Sequence, residues 1–151
     1  MVQGPPSRSL SPAVPRASRT RHRDEALMRE KGSLVSVVDD DESVRESLPD
    51  LLRQLGYAAA AFSSAEAFLA SDCVGRTECL ILDVAMPGMS GPELQLELLR
   101  RRHRIPIVFI TAHEDDTVRP ALIARGAVEC LFKPFSDTEL LAALNAALQT
   151  H

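Results

Sequence analysis

The sequence predicts an α/β protein, a doubly wound parallel sheet of five strands with five helices. Three observations carry that prediction. Short apolar runs without polar alternation, such as Cys79-Leu80-Ile81-Leu82 and Ile105 to Ile110, suit strands covered on both faces. Segments with leucines at helical spacing separate these runs, and strand and helix alternate strictly from Ser33 onward. The chain of 151 residues, 45% of them hydrophobic, has room for one good core, and two full domains would be crowded.

Residues 1–32 are rich in Pro, Ser and Arg and lack apolar periodicity, so they read as a disordered tail that cannot repay its ordering entropy. Met28 is an alternative start, because ordered-looking sequence begins just after it. Leu34 to Val38 is a β-branched strand leading into Asp39-Asp40-Asp41-Glu42, and Ser43 with Glu46 has capping-box spacing. The helix that follows runs to about Leu55 and stops at Gly56, with a kink expected at Pro49. Tyr57 to Phe62 reads as the second strand and Ser64 to Leu69 as a short helix. The third strand ends at Asp83, where Pro87, Gly88 and Gly91 break the chain.

Pro92 suits the first turn of the third helix, which Leu94, Leu96, Leu98 and Leu99 carry toward the basic cluster Arg100-Arg101-Arg102-His103-Arg104. Ile105 to Ile110 is the fourth strand, Glu114 to Arg125 a helix with Pro120 in its interior, and Val128 to Phe132 the fifth strand. Ser136 opens the last helix, to about Gln149. The folded domain is therefore residues 33–151, with right-handed crossovers placing helices on both faces of the sheet.

Charge and cysteine content narrow the function. Residues 1–32 carry seven Lys/Arg against three acids and residues 33–151 ten against eighteen, so a basic tail precedes an acidic domain. That balance argues against nucleic acid as the domain's direct partner. Cys73, Cys79 and Cys130 have no metal-type spacing and fit a reducing, cytoplasmic setting better than a disulfide framework. No apolar run approaches a membrane span.

In a parallel sheet every carboxyl end opens on one edge, so Asp39, Asp40, Asp83, Thr111 and Lys133 must converge there. Three gathered carboxylates repel unless a hard cation neutralises them, and Mg²⁺ takes a few carboxylates together with water and phosphate oxygens. Lys133 and the Thr111 hydroxyl suit an anion with several equatorial oxygens, a phosphoryl group in transfer. Asp83 is then the natural nucleophile, since a carboxylate can form an acyl phosphate.

The stretches VVDDDE, LILDVAMPGMSGPEL, IPIVFITAH and GAVECLFKPF resemble the receiver domain of two-component response regulators, with its flavodoxin-like fold, and SSAEAFL and GAVECLFKPF look most like the FixJ type. The resemblance runs from Ser33 to the end of the chain. It implies that Asp83 is the phosphoacceptor and that Asp39, Asp40 and Asp83, with the Ala85 carbonyl, hold Mg²⁺, Mn²⁺ being an alternative. It implies contacts from Thr111 and Lys133 to the phosphoryl group, and a cis bond before Pro134. The donor would be a sensor histidine kinase or a phosphotransfer protein, and the domain would catalyse only its own phosphorylation and dephosphorylation. A downstream protein would read the surface of the fourth helix, fifth strand and fifth helix, with homodimerisation on phosphorylation a further implied outcome.

The match departs from the family at the aromatic switch position, which falls on Cys130, too small to sweep the volume of a ring. Ala85 and His113 flank the site at positions that in the family influence how fast water removes the phosphate. The chain ends with its fifth helix, which predicts a stand-alone receiver without the DNA-binding output domain of FixJ-type proteins. A pseudo-receiver that binds proteins without taking phosphate is the competing reading. A phosphatase of the haloacid-dehalogenase type needs a second Asp where Ala85 stands, and dinucleotide binding needs glycines where the loop after the first strand is acidic.

Overall fold

The computed structural model describes residues 33–112 and 117–149. The tail, Met28, His113 and the expected helix start at Glu114 lie outside the described residues. Five strands, β1 (Leu34–Val38), β2 (Ala58–Phe62), β3 (Cys79–Asp83), β4 (Ile107–Thr111) and β5 (Glu129–Phe132), alternate with five helices. The helices are α1 (Glu42–Gln54), α2 (Ala65–Ala70), α3 (Gly91–Arg100), α4 (Val118–Ala124) and α5 (Asp137–Gln149). The strands form one parallel sheet in the order β2-β1-β3-β4-β5.

Strand alternation sorts the core into two layers. Val38, Leu80, Leu82, Phe109 and Cys130 pack with Phe68, Leu94, Leu98 and Leu122 from α2, α3 and α4. On the other face Val35, Val37, Ile81, Ile110 and Leu131 pack with Leu48 and Leu52 of α1 and Leu140 and Leu144 of α5. Each of these large side chains contributes about 1.5–3 kcal/mol through burial. β3, the middle strand, is buried at all five residues.

Several local expectations are corrected. Asp41, not Ser43, caps α1: its carboxylate accepts from the Ser43 amide at 3.0 Å and the Ser43 hydroxyl at 2.8 Å. Pro49 does lie inside α1, as expected, and is buried. In α3 only Leu94 and Leu98, one helical repeat apart, enter the core; Leu96 and Leu99 are 58% and 53% exposed. Pro120 is the third residue of α4 and lies in its first turn, where no intrahelical N–H is lost, rather than in a helix interior. β2, β4 and β5 begin one or two residues later than expected, at Ala58, Ile107 and Glu129. The helix starts read at Ser64 and Ser136 do hold, each as a cap: Ser64 accepts from the Ala67 amide, and Ser136 and Glu139 exchange bonds.

Candidate functional site

Position parity places the site residues. Asp39 continues the alternation of Val35 and Val37, Asp83 that of Cys79 and Ile81, and Lys133 that of Leu131, so all three emerge toward the α1/α5 layer. Thr111 continues Phe109 toward the opposite layer, which also contains Cys130. The amide of Asp39 still donates to the Phe62 carbonyl at 3.1 Å, which extends the ladder past β1 and fixes where the acidic run begins.

Asp39, Asp40 and Asp83 each present a carboxylate oxygen within 4.8 Å of the others. Asp39 is fully buried, Asp83 is 7% exposed and Asp40 faces solvent. Lys133 Nζ donates to Asp39 Oδ2 at 2.7 Å, and the Asp41 amide donates to Asp39 Oδ1 at 2.9 Å. Arg45 reaches back from α1 to the Asp39 carbonyl at 3.0 Å. Thr111, 2% exposed, ends β4, and its carbonyl accepts from the Lys133 amide at 2.8 Å, which ties the β5 exit to the β4 exit. The Lys133–Pro134 peptide bond is cis.

Burial pushes the Asp83 carboxyl up to about 7, and the Asp39 charge adds to that shift. Lys133 and the Ala85 amide work against it. Within the described residues the three-carboxylate cluster thus has one ammonium partner, bonded to Asp39. The donor set is all hard oxygen, closely grouped and partly solvent-facing, which fits a small divalent cation better than a soft one.

Sequence reasoning missed three supports of the site. A Cβ at Gly91 would fall on the Asp83 carbonyl oxygen and 3.0 Å from the Phe109 ring, so only glycine lets the chain turn back against β3. Gly88 has φ of +75° beside Glu66, whose carboxylate accepts from the Met89 amide at 3.2 Å and pins the β3–α3 loop to α2. Gly88 and Gly91 were visible as chain breakers; nothing in the sequence marked Glu66. Ser90 and Glu93 then form a reciprocal cap that starts α3.

Cys130 is 2% exposed, and burial pushes its thiol pKa up, with the Glu129 charge next in effect. It is a core group rather than an activated thiolate. Beside it Glu129 accepts from Arg119 at 2.8 and 2.7 Å and from the Cys130 amide at 2.9 Å, which clamps the first turn of α4 to the sheet edge. Ala85 is exposed in the loop after β3.

Residues 35–145 match the family model of the response regulator receiver domain. The chain is 46% identical over 117 residues to nodulation protein W of Bradyrhizobium diazoefficiens, an alignment covering 78% of this chain and 52% of that protein. It is 42% identical over 122 residues to response regulator protein TodT of Pseudomonas putida, covering 81% and 54%. The chain therefore spans about half the length of these curated relatives. Among solved structures, the crystal structure of FixJ-N is similar with TM-score 0.70 and 38% identity over 78% of this chain and 94% of that one. That of response regulator StyR gives TM-score 0.72 and 47% identity over 80% and 60%.

Proposed function

The chain belongs to the response regulator receiver family of two-component signalling, and on that premise we propose that Asp83 is its phosphoacceptor. Proteins of this family signal by phosphorylation, bind Mg²⁺ at an acidic pocket and interact with histidine kinases or phosphotransfer proteins. The observation that carries the reading is the convergence of Asp39, Asp40 and Asp83 within 4.8 Å, with Lys133 bonded to Asp39.

A carboxylate oxygen of Asp83 attacks the phosphorus of a phosphohistidine in line. The new P–O bond forms as the P–N bond breaks, and the imidazole leaves with the electron pair and takes up a proton. Asp83 must be ionised to attack, and burial with Asp39 beside it opposes ionisation. Lys133 offsets part of that opposition, and its ammonium is placed to follow the charge from Asp39 toward the transferred group. Asp40, Asp83 and the Ala85 carbonyl would hold Mg²⁺, which when bound would neutralise the carboxylates and the equatorial phosphoryl oxygens. Asp39 would join them: each of its oxygens accepts one bond and keeps a lone pair, so it can face the cation while holding Lys133. Thr111 at the end of β4 contacts the phosphoryl group, and α4, β5 and α5 form the surface a partner reads. With Cys130 in place of a ring, the Arg119–Glu129 clamp joins the packing of Leu122 with Cys130 in coupling α4 to β5.

Mg²⁺ dependence tests this reading. Acetyl phosphate should phosphorylate the chain in MgCl₂ and fail to do so in EDTA, and Asp40→Asn should raise the Mg²⁺ concentration needed by at least about tenfold. Equal phosphorylation in EDTA would contradict the assignment.

A further inference from the structure

The opposite edge of the sheet carries a second site. A cavity of about 390 Å³ opens between the end of α3, the segment before β4 and the end of α4. Leu98, Ile105, Pro106 and Val128 give it an apolar wall, and Arg104 and Arg125, both exposed, stand beside His103 on its lining. The volume is within the range of ordinary ligand pockets.

Charge is concentrated here. Of the ten Lys/Arg in residues 33–151, five (Arg100, Arg101, Arg102, Arg104 and Arg125) lie on the two chain segments that border this cavity. Glu97 pairs with Arg100 and Arg101, whereas Arg102, Arg104 and Arg125 make no ion pair among the described residues. A domain that is acidic as a whole thus has a basic end on the edge away from Asp83.

A buried polar group marks the same place. Gln95, 4% exposed, lines the cavity and donates through Nε2 to the Arg125 carbonyl at 3.3 Å, while its Oε1 is buried without a hydrogen-bond partner. A buried acceptor left unmet is costly, so the packing between α3 and the end of α4 is not at its optimum at this wall of the cavity. Leu99 lines the cavity yet is 53% exposed, and Leu96, one turn earlier on the same side of α3, is 58% exposed. The apolar surface therefore continues along α3 beyond the volume a small molecule would fill.

We propose that this cavity and the adjoining face of α3 form a docking site for an acidic, leucine-bearing peptide segment of a partner protein. One apolar side chain of the segment enters the cavity and another lies on Leu96 and Leu99. Its carboxylates meet Arg104 and Arg125. Charge complementarity selects this occupant, since the basic border would repel a basic segment and strand its arginines against a neutral one. The site does not depend on phosphorylation of Asp83.

The test is an NMR titration of the full ¹⁵N-labelled chain with a short acetylated, amidated peptide whose two leucines, one helical turn apart, are flanked by Asp and Glu. Saturable shifts at the Gln95 side-chain amide, Leu99, Arg104 and Gly126 are expected. Arg104→Glu combined with Arg125→Glu should weaken binding at least about tenfold, and Leu99→Ala should weaken it without altering the salt dependence. Both positions of the double variant are exposed, and unchanged amide shifts outside the cavity in its free spectrum would show that it folds normally. The proposal is overturned if the peptide shifts only residues 1–32, if the double variant binds as tightly as the wild type, or if a peptide with Lys in place of its acids binds equally well.

Discussion

β3 and β5 are built in opposite ways, and the contrast shows how one site draws its acids from the middle of the sheet and its ammonium from the edge. β3 lies between β1 and β4, is buried along its whole length and ends in Asp83. β5 pairs with β4 alone, is half-buried at both ends and leads into Lys133. The acids therefore follow the interior strands β1 and β3, while the ammonium that balances them arrives from the edge strand β5. A displacement of β5 repacks fewer side chains than one of β3, yet it moves Lys133 relative to Asp39.

The largest break in this arrangement is Lys133→Met. It strands the Asp39 carboxylate, which is 0% exposed, and should destabilise the metal-free protein by about 3 kcal/mol, measured by urea unfolding in EDTA. Loss of an edge residue would then be felt at the centre. Gly91→Ala acts from the centre itself: the added Cβ meets the Asp83 carbonyl and the Phe109 ring, and a cost of about 1–3 kcal/mol is expected by the same measurement.

pH acts on the carboxylate at the end of β3. Asp83 is raised from 3.8 to about 7 in the folded chain, so the folded state binds its proton more tightly than the unfolded state does. Its contribution to stability is fully present below about pH 4 and is lost as pH rises through 7. Metal-free protein should therefore lose stability across that window with a slope of at most about 1.4 kcal/mol per pH unit from this group, and Asp83→Asn should remove that component. The smallest effect compares like with like: Cys79→Ala in β3 should cost about 1.5 kcal/mol and Cys130→Ala in β5 about 1 kcal/mol or less. Equal costs would show that centre and edge are packed alike.

Much of this was legible in the sequence because it follows from period. Strand runs ending in Asp39, Asp83, Thr111 and Lys133 had to open on one edge once the sheet was parallel; Asp39, Asp83 and Lys133 come together there, and Thr111 ends β4 on the same edge with its carbonyl bonded to the Lys133 amide. The misreadings have local causes. Asp39-Asp40-Asp41-Glu42 offers several capping groups, and the ladder bond of Asp39 to Phe62 decides that Asp41 takes the role. Four leucines in α3 support two different buried faces, and packing against β3 and β4 selects Leu94 and Leu98. Pro120 suits a first turn as well as an interior kink, and the start of α4 at Val118 settles which it is. Gly91 was legible as a turn residue, but its contact with Asp83 depends on two segments folding together. Glu66 and the Gln95–Arg125 tie are likewise products of tertiary structure.

Asp83 as the phosphoacceptor stands or falls on intact-mass spectrometry after incubation with acetyl phosphate and MgCl₂, with Asp83→Asn treated alongside. One labile phosphate adduct is expected on the wild type and none on Asp83→Asn. An adduct retained by Asp83→Asn, or a folded wild type that binds Mg²⁺ and takes no phosphate, would contradict it.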